Sequence, residues 1–85
     1  MLEKDIEKSL VKHIKTKGGL CINLNSSTMA GLPDSLVILK NKIIFIELKA
    51  PKQKPRKLQT IVMDRLKSLG CDVRVIDNLE DIKNI

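Results

Sequence analysis

The feature that most constrains this chain is a pair of apolar runs, Leu36–Leu39 and Ile43–Leu48, separated only by Lys40-Asn41-Lys42. Both runs are short and rich in β-branched residues, and the turn-prone spacer between them predicts an antiparallel β-hairpin. Side chains two apart on a strand share a face. Ile43, Phe45, Glu47 and Lys49 therefore fall on one side, and Ile44, Ile46 and Leu48 on the other. An otherwise apolar strand ends in two charges. Burying an unpaired charge is expensive, so these ends must open into a cleft or meet a partner.

The rest of the chain supplies elements to pack on that hairpin. From Glu3 to Lys17, apolar residues recur at Ile6, Leu10, Val11 and Ile14, which is helical spacing, and Gly18-Gly19 stops the segment. Leu20–Leu24 reads as a short strand, and Asn25–Gly31 as a polar loop. After the basic, breaker-rich stretch Ala50–Lys54, Pro55 suits the first turn of a helix running to about Leu69. Its expected core stripe is Leu58, Ile61, Val62, Leu66 and Leu69, with Gly70 as terminator. Asp72–Ile76 is a last strand, and Asn78 is placed to cap a short helix through Ile85. The expected architecture is α/β, in the order α-β-β-β-α-β with a short C-terminal helix, as one domain over residues 1–85 without repeats or linkers. A domain of this size buries only about 60–65% of the surface its unfolded chain exposes, so its stability margin is thin.

Charge points towards a polyanion. Sixteen Lys and Arg against ten Asp and Glu give +6. Lys49, Lys52, Lys54, Arg56 and Lys57 cluster with no acid among them. One Phe, with no Tyr or Trp, leaves no stacking platform for splayed bases, so duplex backbone is the better match than single strands. Cys21 and Cys71 lack both a disulfide framework and zinc-type spacing and read as reduced core residues. The N-terminus is charged and no apolar run reaches the roughly eighteen residues of a membrane span. The expectation is a cytoplasmic protein with no membrane partner.

The chemistry is expected where the hairpin's charged end meets Gly31-Leu32-Pro33-Asp34. Pro33 fixes the backbone just before Asp34, and an antiparallel hairpin sets the start of one strand beside the end of the next. Asp34 is thereby drawn to Glu47. Two carboxylates suit a hard divalent cation, which polarises a phosphate and acidifies a bound water, while the Lys49 ammonium steadies the nucleophile or the developing charge. Glu7 falls within the inward arc of the first helix, where an acid is out of place, and is a candidate to complete the shell or to bind its water. Glu3, on nearly the same face, ranks below it. His13, the only histidine, sits at the edge of that arc and reads as a boundary residue.

These elements resemble a known family. Ile6-Glu7, the Lys17-Gly18 break, Gly31-Leu32-Pro33-Asp34, Phe45-Ile46-Glu47-Leu48-Lys49-Ala50, Leu58-Gln59 and Leu69-Gly70 are similar to the VRR-NUC domain of the PD-(D/E)xK nuclease superfamily. The likeness runs from about Ile6 to Asp77. It implies a restriction-endonuclease-like core and a Mg²⁺-dependent nuclease in which Mn²⁺ substitutes, in a bacterial or phage-infected cell. It also implies a homodimer acting on Holliday junctions. By position, Asp34, Glu47 and the Leu48 carbonyl would be metal ligands, Lys49 the catalytic lysine and Glu7 the helix-borne acid. Gln59 would stand near the site, although the Arg56-Lys57 pair before it departs from the family's usual Ser-Pro. Lys52, Lys54, Arg56 and Lys57 are expected to hold DNA phosphates, with Asn25 and Ser26 reaching a phosphate or sugar. Two alternatives stand beside this reading: a non-catalytic basic nucleic-acid-binding module, and an interaction domain of a larger nuclease or helicase complex.

Overall fold

The computed structural model describes residues 1–24 and 28–85. Asn25 and Ser26 lie outside the described residues. Helix α1 (Glu3–Thr16) leads into strands β1 (Leu20–Asn23), β2 (Ser35–Leu39) and β3 (Lys42–Leu48). Helix α2 (Lys57–Ser68), strand β4 (Asp72–Ile76) and helix α3 (Leu79–Lys83) follow. The α/β order matches the expected one.

The four strands pair in the order β1-β2-β3-β4, antiparallel except for the last pair, β3 with β4. The parallel step follows from connectivity, because α2 carries the chain back across the sheet. The hairpin turn is tighter than expected: Leu39 pairs with Lys42, leaving Lys40-Asn41 between the strands, and Asn41 takes the left-handed φ of 62° that asparagine tolerates.

The strand parity is as read. Ile44, Ile46 and Leu48 point into the core with Val37 and Ile76, and α1 buries Ile6, Leu10 and Ile14 against them. Ile82 of helix α3 and Ile85 just beyond it close the same core, and the helix cap is the expected one: Asn78 Oδ1 accepts the Asp81 N–H at 2.8 Å. His13 is half-buried at this seam, its Nε2 3.4 Å from the Ile85 carbonyl oxygen.

Two helical stripes differ from expectation. Val11 is exposed rather than packed. On α2 the buried residues are Val62 and Met63, whereas Leu58, Ile61 and Leu69 face outward. The apolar arc of α2 is wider than the surface it covers, so it is buried only where it meets β4 and the Gly31 loop. The helix also begins later than Pro55, at Lys57, with Arg56 as the extended residue before it. Both cysteines are free and half-buried.

Candidate active site

Register brings the two carboxylates together. The last ladder pair of the hairpin is Ser35 with Ile46, so one step further Asp34 faces Glu47. Asp34 is tied there through both its ends. Its carbonyl accepts the Leu24 N–H at 2.8 Å, and its Oδ2 accepts the Leu48 N–H at 2.9 Å. Because a strand residue's N–H and C=O point the same way, the Leu48 carbonyl is directed to the Asp34 side, while the Lys49 N–H turns to β4 and donates to the Ile76 carbonyl at 3.0 Å.

The approach to Asp34 depends on Gly31. Its φ is +86°, and a Cβ there would stand 2.9 Å from Val62 Cγ2 and 3.0 Å from Leu58 Cγ. Glycine is thus required twice, for the left-handed turn and for the contact that seats the loop on α2. Between the loop and the N-terminus of α2 lies a cavity of about 280 Å³ lined by Gly31, Asp34, Arg56, Leu58 and Gln59 among others.

Glu47 is fully buried. Lys49 Nζ lies 3.2 Å from its Oε2, an ionic approach rather than a directed hydrogen bond, and both carboxylate oxygens lack a hydrogen-bond partner among the described residues. Burial pushes the Glu47 carboxyl above its usual range, the neighbouring Asp34 charge adds to this, and the Lys49 ammonium partly offsets it. A buried acid left so poorly partnered is costly to the fold.

That cost is the observation that bears on a metal. The donors gathered here are carboxylate oxygens and a carbonyl, the chemistry a hard cation prefers. The unpartnered Glu47 oxygens, with Asp34 beside them, fit such an ion. Among the described residues no three His, Cys, Asp or Glu side chains cluster as a metal site. Glu7 is therefore not gathered with Asp34 and Glu47. It is half-buried near Cys21, whose thiol is pushed up chiefly by burial, lowered by a bond with Ser35, and raised again by the Glu7 charge.

The remaining residues fall around the cavity mouth. Gln59 lines it but is also engaged locally, its Oε1 accepting the Arg56 N–H at 2.9 Å and capping α2. Lys52, Lys54, Arg56 and Lys57 are exposed. Lys52 carries a strained φ of 70° in the turn closed by Gln53 N–H donating to the Ala50 carbonyl at 3.0 Å. Position-by-position reasoning overlooked Gly31's packing on α2, which the Gly-x-Pro-Asp spacing could have signalled.

An antiparallel hairpin presenting Asp-Glu-x-Lys at its open end, flanked by helices on both sides, defines a PD-(D/E)xK-type α/β domain. No family model matches the chain. It is 43% identical over 84 residues to a protein of Acyrthosiphon pisum secondary endosymbiont phage 1 described as "Putative nuclease p44", with 98% of this chain and 89% of that protein covered. A solved structure described as "VRR_NUC domain" superposes with a TM-score of 0.88 at 28% identity, covering 96% of this chain and 90% of the other. The chain belongs to the VRR-NUC family. No helix among the described residues is long and apolar enough to cross a membrane.

Proposed function

We propose that the chain is a metal-dependent endodeoxyribonuclease that hydrolyses phosphodiester bonds in branched duplex DNA, Holliday junctions included, as a homodimer. The observation that carries the metal-dependent reading is the buried Glu47 carboxylate, which lies beside Asp34 and Lys49 and has no hydrogen-bond partner among the described residues. Asp34, Glu47 and the Leu48 carbonyl would hold Mg²⁺, with Mn²⁺ as a substitute. Bound there, the cation supplies Lewis-acid polarisation of the scissile phosphate and acidification of a water.

The chain's own residues do the rest. Lys49 Nζ orients the attacking water and balances charge developing on the phosphate. Lys52, Lys54, Arg56 and Lys57 bind backbone phosphates on either side, a sequence-independent grip that weakens with salt. Glu7, half-buried near Cys21, is assigned no step in this scheme. A purely structural role for Glu47 is disfavoured, since an apolar residue would fill its place at lower cost.

A cleavage panel of four-way junction, flap, duplex and single strand, in Mg²⁺ and in EDTA, tests the proposal with Lys49→Ala alongside. Cutting that needs Mg²⁺ and Lys49, prefers the junction and falls symmetrically on opposite strands is the expected result. Normal cleavage by Asp34→Ala, or DNA binding with no scission under any condition, would overturn it.

A further inference from the structure

Helix α1 is anchored by one side and charged on the other. Ile6, Leu10 and Ile14 are fully buried. At about 100° per residue, Lys4, Lys8, Lys12 and Lys15 fall within an arc of about 80° on the opposite side, a stripe about 16 Å long. All four lysines are exposed. The ion pairs among the described residues are Lys49 with Glu47 and Arg74 with Asp72, so none of these four ammonium groups is neutralised there. Asp5, at the edge of the arc, turns back to accept the Leu2 N–H at 2.9 Å. Beside the stripe, a groove of about 340 Å³ runs between α1 and α3, with Ser9, Lys12, Thr16 and Lys83 on its walls.

We propose that the lysine face of α1 is a second DNA-binding surface, gripping the backbone of an arm other than the one that carries the scissile phosphate. The proposal rests on the nuclease reading above for its substrate, but its test needs no cleavage. Position is the first argument. Gly18-Gly19 returns the chain from α1 to β1, whose first residue, Leu20, pairs with Ile38 near the hairpin turn, and whose last, Asn23, pairs with Ser35 beside Asp34. Because α1 packs on β1, its Lys15 end lies towards the turn and its Lys4 end towards the site. Lys52, Lys54, Arg56 and Lys57 lead instead into α2, on the other face of the sheet. Two basic surfaces therefore flank the catalytic end, one on each face. A straight duplex lies along one side of a body at least 22 Å across, whereas arms diverging from a branch can pass along both. Bending a continuous duplex to do the same costs elastic energy that a junction does not spend.

Charge is the second argument. Duplex DNA carries one negative charge per about 1.7 Å of its axis, so a row of four ammonium groups meets a continuous row of phosphates wherever the arm is laid down. Lys83 widens the row across the groove, where Ser9 and Thr16 add the hydroxyl groups that commonly touch phosphate and sugar. An anionic membrane is the other polyanion that attracts such a row. A helix that lies on a bilayer inserts its apolar face, however, and that of α1 is sealed in the core through Ile6, Leu10 and Ile14. Contacts to backbone alone read no sequence, so this surface favours a DNA shape over a DNA sequence.

Fluorescence anisotropy in EDTA, on a four-way junction and on a linear duplex across a salt series, tests this. The α1 variant carries Lys4→Gln, Lys8→Gln, Lys12→Gln and Lys15→Gln. A control carrying Lys40→Gln, Lys42→Gln, Arg65→Gln and Lys67→Gln removes the same charge from the hairpin turn and the far end of α2. Glutamine keeps the helix propensity of lysine, and far-UV circular dichroism confirms each fold. The α1 variant should bind the junction about tenfold or more weakly, with a slope of log affinity against log salt shallower by about three. Its duplex binding, and the control's binding to both DNAs, should stay within about threefold of wild type. Lys8→Gln with Lys12→Gln alone should give about half of the slope change. A wild-type slope on the junction, an equal loss on the duplex, or an equal loss in the control would overturn the proposal. So would stripe-dependent binding to phosphatidylserine vesicles with junction affinity unchanged. The expected binding pattern without any cutting in Mg²⁺ would sink the nuclease reading and leave this surface standing.

Discussion

Replacing Glu47 by glutamine tests the central claim, because it separates what the site costs the fold from what it does. The amide keeps the shape of the side chain but removes a charge that is fully buried and whose oxygens have no hydrogen-bond partner among the described residues. An unsatisfied buried group costs about 1–3 kcal/mol, more when charged. Part of that penalty persists, since the amide is equally unpartnered and Lys49 loses its ion pair at 3.2 Å. The net expectation is a gain of about 1 kcal/mol in EDTA, which for a domain of this size raises Tm by about 4–8 °C. Saturating Mg²⁺ should reverse the ranking. A cation bound only to the folded state at a hundred times its Kd contributes about 2.7 kcal/mol to wild type and nothing to Glu47→Gln. Thermal unfolding of both proteins in EDTA and in Mg²⁺ reads all four values, and a cleavage assay should find the stabilised variant inactive. A Glu47→Gln protein that melts below wild type in EDTA, or that retains the Mg²⁺-induced shift, would refute the reasoning.

Because the folded-state pKa of Glu47 lies above the ordinary 4.5, the folded protein holds that proton more tightly than the unfolded chain does. Its contribution to stability is therefore greatest below the ordinary value and is lost as pH rises through the raised one, a fall in Tm that wild type should show relative to Glu47→Gln in EDTA. Lys52→Gly should raise stability by about 0.5–1 kcal/mol, by relieving the left-handed φ of 70°. It should also lower the slope of log binding against log salt by about one, the signature of a lost phosphate contact. An unchanged slope would remove Lys52 from the DNA surface. Gly31→Ala should cost about 2 kcal/mol, since both its φ of +86° and the 2.9 Å approach to Val62 exclude a Cβ. Chemical denaturation showing wild-type stability would contradict that geometry.

Alternation along Ile43–Leu48 was enough to assign core and site faces to β3, and the turn-prone spacer Lys40-Asn41-Lys42 was enough to predict the hairpin, while its tighter two-residue turn was not. From these, Asp34 opposite Glu47 follows as geometry, because antiparallel pairing fixes which ends meet. The Gly-x-Pro-Asp and Glu-x-Lys spacings carried the family resemblance for the same reason. What periodicity leaves open is whether a second layer lies over an apolar face. Leu58, Ile61 and Leu69 have the spacing of a core stripe yet face outward, and Leu20, Ile22 and Ile43 are equally apolar and equally uncovered. Only the placement of α2 over β4 decided that. The partner of each polar group was likewise a tertiary matter: Gln59 turned back to cap its own helix, Glu7 stopped beside Cys21, and Glu47 was sealed with the Lys49 ammonium beside it but no hydrogen-bond partner among the described residues. Local sequence sets the direction in which a side chain leaves the backbone, but what it meets there depends on segments far away in the chain.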